Sequence, residues 1–93
     1  MLNTLAEAKE YAIQKIEEFT KETMEDIEKD IVKTSLEEDF FDKIEDQIDE
    51  EELEKARLSS EEDMDWYLFH KIPNYITLLE ETTKNFLTEY LSE

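Results

Sequence analysis

Apolar residues recur at intervals of three and four along most of this chain. In the first third, Leu5, Ala8, Ala12, Ile16, Phe19, Thr23, Ile27 and Ile31 form one such series, widened by Ile13, Met24 and Val32. That spacing is the period of an amphipathic α-helix. Thr4 and Glu7 make a capping box at its start. The pattern predicts a single helix over about residues 4–33, roughly 45 Å long at 1.5 Å per residue. A compact domain of this chain length has a radius of gyration of only ~12 Å. A helix that long must overhang, kink or pair with a second chain, so a homodimer or an elongated monomer is expected.

Ser35 with Glu38 reads as a second capping box, opening a helix over 36–57 with Leu36, Phe40, Phe41, Ile44 and Ile48 on its apolar side. A bend is expected near 49–51, and Asp49 with Glu52 could instead cap a separate short helix holding Leu53 and Ala56. Ser59 and Ser60 interrupt the pattern, and Ser60 with Asp63 caps a helix over 61–71 that carries Met64, Tyr67, Leu68 and Lys71. Pro73 ends it, since proline lacks the amide donor and pushes the preceding residue out of helical space. The same proline suits the first turn of a last helix over 73–91, where Ile76, Leu79, Thr83, Phe86 and Tyr90 are spaced 3, 4, 3 and 4, flanked by Ile72, Leu87 and Leu91. The expected fold is all-α: one domain over 1–93, a small bundle of four to five helices with a long N-terminal and an amphipathic C-terminal helix.

Composition narrows this picture. There is no glycine and a single proline in 93 residues. Hairpin turns and the phosphate cradles of nucleotide-binding folds use glycine for positive φ or close backbone approach, so most sheet architectures and every Gly-rich nucleotide loop are excluded. The chain has no cysteine, which removes disulfides and thiolate metal sites. The N-terminal stretch lacks the basic and apolar regions of a signal peptide. The longest apolar run, Trp66 to Phe69, is far short of the ~20 residues of a membrane helix. A soluble, cytoplasmic protein is expected. Nine lysines to one arginine point towards an AT-rich genome, such as a low-GC bacterium or its phages and mobile elements.

Charge changes the picture most. The formal net charge is −18. Residues 1–34 contribute −4, residues 35–65 contribute −12 and residues 66–93 contribute −2. On one helix, Glu38, Asp42, Glu45, Asp49 and Glu52 would lie opposite the apolar stripe, with Asp39, Asp46 and Glu50 as a second row beside them. Like charges four residues apart cost a few tenths of a kcal/mol each, and few lysines interleave here. In the first segment they do interleave, as Glu17 with Lys21 and Glu25 with Lys29. The acidic rows are either a solvated face or a bound one. Such a charge disfavours direct contact with nucleic acid or an anionic membrane and selects basic partners. Carboxylates ~5–6 Å apart along a helix could present a phosphate-like comb to a basic nucleic-acid-binding groove, with a steep dependence on salt.

Nothing in the chain points to catalysis, a cofactor or a metal. His70 has no carboxylate three or four residues away, so it reads as structural or surface. The acidic runs lack the glycine and ligand spacing of a calcium loop, and the serines and threonines lack a His–Asp relay. The aromatic group Trp66, Tyr67 and Phe69, with Tyr75, reads as core, or otherwise as an anchor for a partner.

In size, acidity and lack of an active site the chain resembles the phage-encoded acidic DNA-mimic inhibitors of the anti-CRISPR and anti-restriction class, chiefly through residues 37–65. That resemblance implies a non-enzymatic inhibitor that blocks the nucleic-acid-binding surface of a CRISPR effector or restriction enzyme. It transfers no residue roles, because those proteins share no fold or motif. The other expectation is a helical dimerisation or adaptor module that binds through apolar faces, with the acids only solvating it.

Overall fold

The computed structural model describes residues 2–92. Its elements are α1 (Leu5–Thr20), α2 (Asp26–Ile44), a 3₁₀ turn (Glu45–Gln47), α3 (Glu50–Ser59), α4 (Glu61–Lys71) and α5 (Tyr75–Leu91). There is no strand among the described residues. The fold is therefore the expected all-α bundle, with a radius of gyration of 13.4 Å and extents of 39 × 24 × 21 Å.

The long first helix is not formed. It breaks after Thr20, and α1 and α2 pack against each other as a hairpin. The Thr20 hydroxyl donates to the Ile16 carbonyl at 2.9 Å, competing with the next turn of helix. Lys21 takes a left-handed conformation, φ 59°, and its amide donates back to the Glu17 carbonyl. Glu17 then gathers the turn: its carboxylate accepts from the Met24 amide at 3.3 Å and meets Lys29 Nζ at 3.8 Å. With the helix folded in two, length no longer calls for a second chain.

The break also shifts the apolar phase. Leu5, Ala8, Ala12, Ile13 and Ile16 are buried as expected, but Phe19 and Ile27 are 75% and 72% exposed, and Ile31 is exposed too. The buried side of α2 is Val32, Leu36, Phe40 and Ile44, one position on from Ile31. That series runs straight through Ser35, which lies inside α2 and caps nothing. The two-helix split of 36–57 is the alternative that forms. Ile44 leaves helical geometry, Ile48 and Asp49 are extended, and the Asp49 carboxylate accepts from the Glu51 amide to start α3.

Two other caps follow the sequence. Thr4 accepts from the Glu7 amide, while the Glu7 carboxylate accepts from Asn3. Ser60 accepts from the Asp63 amide at 2.9 Å. Each such cap contributes ~1 kcal/mol. The last helix begins at Tyr75 instead of 73, because Asn74 adopts φ 58° and turns the chain after Pro73.

The core centres on α1, α2 and α5. Phe40 is fully buried and meets the edge of Tyr75 at 5.7 Å; Leu79, Thr83 and Phe86 continue the α5 side. Helix α4 closes one side with Met64 and Leu68. Helix α3 packs chiefly against α4 and buries only Leu53.

Candidate interaction surface

The eight carboxylates singled out above do not share one helix. Glu38, Asp39 and Asp42 belong to α2, Glu45 and Asp46 to the 3₁₀ turn, and Glu50 and Glu52 to α3, with Asp49 capping α3 between them. The straight two-row comb is thus replaced by a bent array, because the chain leaves helical geometry at Ile44 and again at Ile48 and Asp49. All eight are exposed except Asp39, which is half-buried.

Local physics accounts for part of this acid run. Glu50, Glu51 and Glu52 occupy the first turn of α3, and Glu61, Glu62 and Asp63 that of α4. Acids there offset the positive end of the helix dipole, a favourable ~0.3–1 kcal/mol each when exposed. Asp49 serves as a cap. Glu38 and Asp42 have no such local role, and Glu45 and Asp46 open only the three-residue 3₁₀ turn. None of the eight joins an ion pair among the described residues; the ion pairs use Glu10, Glu17, Glu18, Glu37 and Glu61 instead.

The three aromatic candidates separate. Tyr67 is half-buried, and its hydroxyl accepts from the Asp49 amide at 3.1 Å and donates to the Asp49 carbonyl at 3.4 Å. It pins the corner between the 3₁₀ turn and α3. Trp66 and Phe69 remain 57% and 42% exposed. Their rings meet at 5.9 Å, His70 stacks on Trp66 at 4.8 Å, and Phe69 touches Tyr75 edge-on at 5.8 Å. The structure therefore places Trp66 and Phe69 at the surface and leaves Tyr67 to architecture.

Two buried charged residues went unseen in the sequence. Lys9 lies almost wholly buried on the inner side of α1, with Nζ 2.6 Å from Glu37 of α2 and 3.1 Å from Glu61 of α4. Arg57 of α3 reaches the other Glu37 oxygen at 3.6 Å. One junction thus joins four helices. Another α1–α2 pair, Lys33 with Glu10 at 2.9 Å, holds the Lys33 pKa above its usual value, chiefly through the hydrogen bond to Glu10. A lysine inside an apolar helical face signals a buried charge, and Lys9 between Ala8 and Ala12 was that signal.

Asp65 is the other group. It is 4% exposed, and one carboxylate oxygen, Oδ2, accepts from the Ala6 amide at 3.5 Å, capping α1 from a different helix. The other oxygen, Oδ1, is buried without a hydrogen-bond partner among the described residues, as is the Tyr75 hydroxyl. Burial pushes the Asp65 carboxyl up to about 6; Glu61 adds to the shift, while the Ala6 and Leu5 amides and Lys9 oppose it. Burial also raises the Tyr75 phenol, with the Asp65 charge next in effect. Asp65 sits beside an open cleft of about 400 Å³ lined also by Asn3, Thr4, Glu62, Trp66, Phe69 and Ile76.

Among the described residues, no group of three or more His, Asp or Glu side chains is placed to hold a metal ion. None of their helices is long and apolar enough to cross a membrane. No family model, curated protein or solved structure matches the chain.

Proposed function

We propose that this chain is a non-enzymatic acidic interaction protein that mimics nucleic acid and blocks the basic nucleic-acid-binding surface of a target, such as a CRISPR effector or a restriction enzyme. One observation carries the reading. Glu38, Asp42, Glu45 and Asp46 are exposed carboxylates that, among the described residues, have neither ion pairs nor capping roles, set in the most acidic third of the chain. Holding like charges together without local compensation costs stability, and a basic groove that releases its counterions on contact would recover that cost.

The test is competition. Protein captured from the native host by the wild-type chain should be a nucleic-acid-binding protein, be released by duplex DNA or RNA, and dissociate steeply as salt rises. Reversing Asp42 and Glu45 together to lysine should abolish the capture. These positions suit the test better than Asp49, whose carboxylate holds the α3 cap. Retention of every partner by the double reversal sinks the reading.

A second reading, an adaptor that binds through apolar contacts, is supported by the exposure of Trp66 and Phe69. It expects the charge reversal to be tolerated and truncation of either aromatic to abolish binding.

A further inference from the structure

We infer that the cleft between the start of α1, α4 and α5 is a receptor for a guanidinium group, the side chain of an arginine presented by a protein partner. The inference stands apart from the acidic array, since the cleft contains none of its eight carboxylates.

Its chemistry follows from what is already committed around it. At the α1 terminus, the Glu7 amide is taken by Thr4 Oγ1, the Ala6 amide by Asp65 Oδ2, and the Ala8 amide by the Thr4 carbonyl. These three donors are therefore occupied. Asp65 lines the cleft, and among the described residues its Oδ1 is a buried acceptor without a donor, a costly arrangement for a carboxylate. The Tyr75 hydroxyl is likewise buried without a partner among them. The nearby cation, Lys9, is engaged by Glu37 and Glu61. Glu62 adds a second carboxylate to the cleft wall. No cationic side chain is among the described residues that line this cleft.

The walls select which cation. Trp66 and Phe69 give aromatic surface beside the two carboxylates, and Ile76 supplies an aliphatic side. A guanidinium is planar, weakly hydrated and always charged, so it stacks on an indole while its fork of N–H groups meets carboxylate oxygens. A lysine ammonium would satisfy the carboxylate but gain less from the ring. The cleft volume, about 400 Å³, lies in the ordinary range for ligand pockets and accepts one long side chain with room for the adjoining backbone.

Trp66 is the only tryptophan in the chain, so its fluorescence reports the cleft directly. The probe is the capped tripeptide Ala-Arg-Ala, titrated at constant ionic strength and neutral pH. Its citrulline counterpart serves as a neutral isostere and its lysine counterpart as the alternative cation. The expected result is a saturable change in Trp66 emission with the arginine peptide. Apparent affinity should fall at least tenfold with citrulline and severalfold with lysine. Asp65→Asn should lower arginine affinity at least tenfold, and Glu62→Gln, an exposed change that leaves the fold intact, severalfold. Reversal of Asp42 and Glu45 to lysine should leave the cleft response in place, which separates this site from the acidic array. Equal responses to arginine and citrulline, an undiminished response in both Asp65→Asn and Glu62→Gln, or no saturable change at millimolar peptide would overturn the assignment.

Discussion

The core of α1, α2 and α5 and the arm formed by α3 and α4 are made from the same residue types in opposite proportions. The core concentrates its apolar residues in continuous helical series, such as Val32, Leu36, Phe40 and Ile44, packed against Tyr75 and Leu79. The arm buries little: Leu53 from α3, and Met64, Asp65 and Leu68 from α4. What it lacks in apolar area it replaces with polar connections at defined points: Lys9 to Glu37 and Glu61, Arg57 to Glu37, Asp65 to Ala6 and Tyr67 to Asp49. Packing holds the core, and a few directional contacts set where the arm lies. Of the exposed acids, Asp49, Glu50 and Glu52 belong to that arm or its cap and the others to α2 and the 3₁₀ turn, whereas the aromatic cleft lies against α4.

The largest effect should come from the core. Phe40→Ala removes a fully buried ring in edge contact with Tyr75 and should cost about 3–5 kcal/mol, lowering the urea midpoint of the entire helical signal. Leu53→Ala should instead melt α3 alone, seen as lost amide protection over Glu50–Ser59 with the core amides retained. Equal loss of protection in core and arm after Leu53→Ala would erase the distinction between them.

Next is the junction. Lys9→Ala leaves Glu37, which is mostly buried, with only Arg57 as partner and should cost about 2 kcal/mol, below the range for fully buried pairs because Glu61 is exposed. A double-mutant cycle with Glu61→Gln should show coupling, the sign that Lys9 ties arm to core.

Asp65→Asn should go the other way. The folded-state carboxyl lies at about 6, above the ~3.9 of an unfolded aspartate. Between these values the folded state holds the extra proton, so the Asp65 contribution is most favourable below pH ~4 and is lost as pH rises through ~6. The asparagine variant should therefore gain about 1–2 kcal/mol at pH 7, with little difference from wild type near pH 4. A pH-independent difference would remove Asp65 as its source.

The smallest effect tests the core hairpin. Lys21 holds φ 59° without glycine's freedom, and Lys21→Gly should add a few tenths of a kcal/mol, relief of left-handed strain outweighing the extra flexibility of the unfolded chain. Thermal midpoints read this directly.

These comparisons show what the sequence made legible. Helical class, the caps at Thr4, Asp49 and Ser60, the end of α4 before Pro73 and the inner residues of α1 follow from local rules that depend on neighbours a few positions away. The break at Lys21 does not, because its usual markers, glycine and proline, are missing from the stretch Lys21 to Glu25. The signal that was there is a phase slip: Ile31 continues the α1 series, whereas Val32 begins the series that α2 buries. The acidic candidates were set on one helix, whereas they span the Ile44 and Asp49 bends. Asp65 was hidden in a run of acids, and only tertiary structure sets it against Ala6, 59 residues away in the chain.

Tyr67 has a consequence for recognition that concerns entropy more than charge. Its hydroxyl contacts both backbone groups of Asp49, at the bend between the acids of α2 and the 3₁₀ turn and those of α3. Without that phenol, the two acid groups could swing relative to one another, and a partner touching both would have to freeze the motion on contact. With it, the ordering is completed during folding, and the angle is set before any partner arrives. Tyr67 is no member of the acid array, yet it fixes how two sets of charges are displayed together.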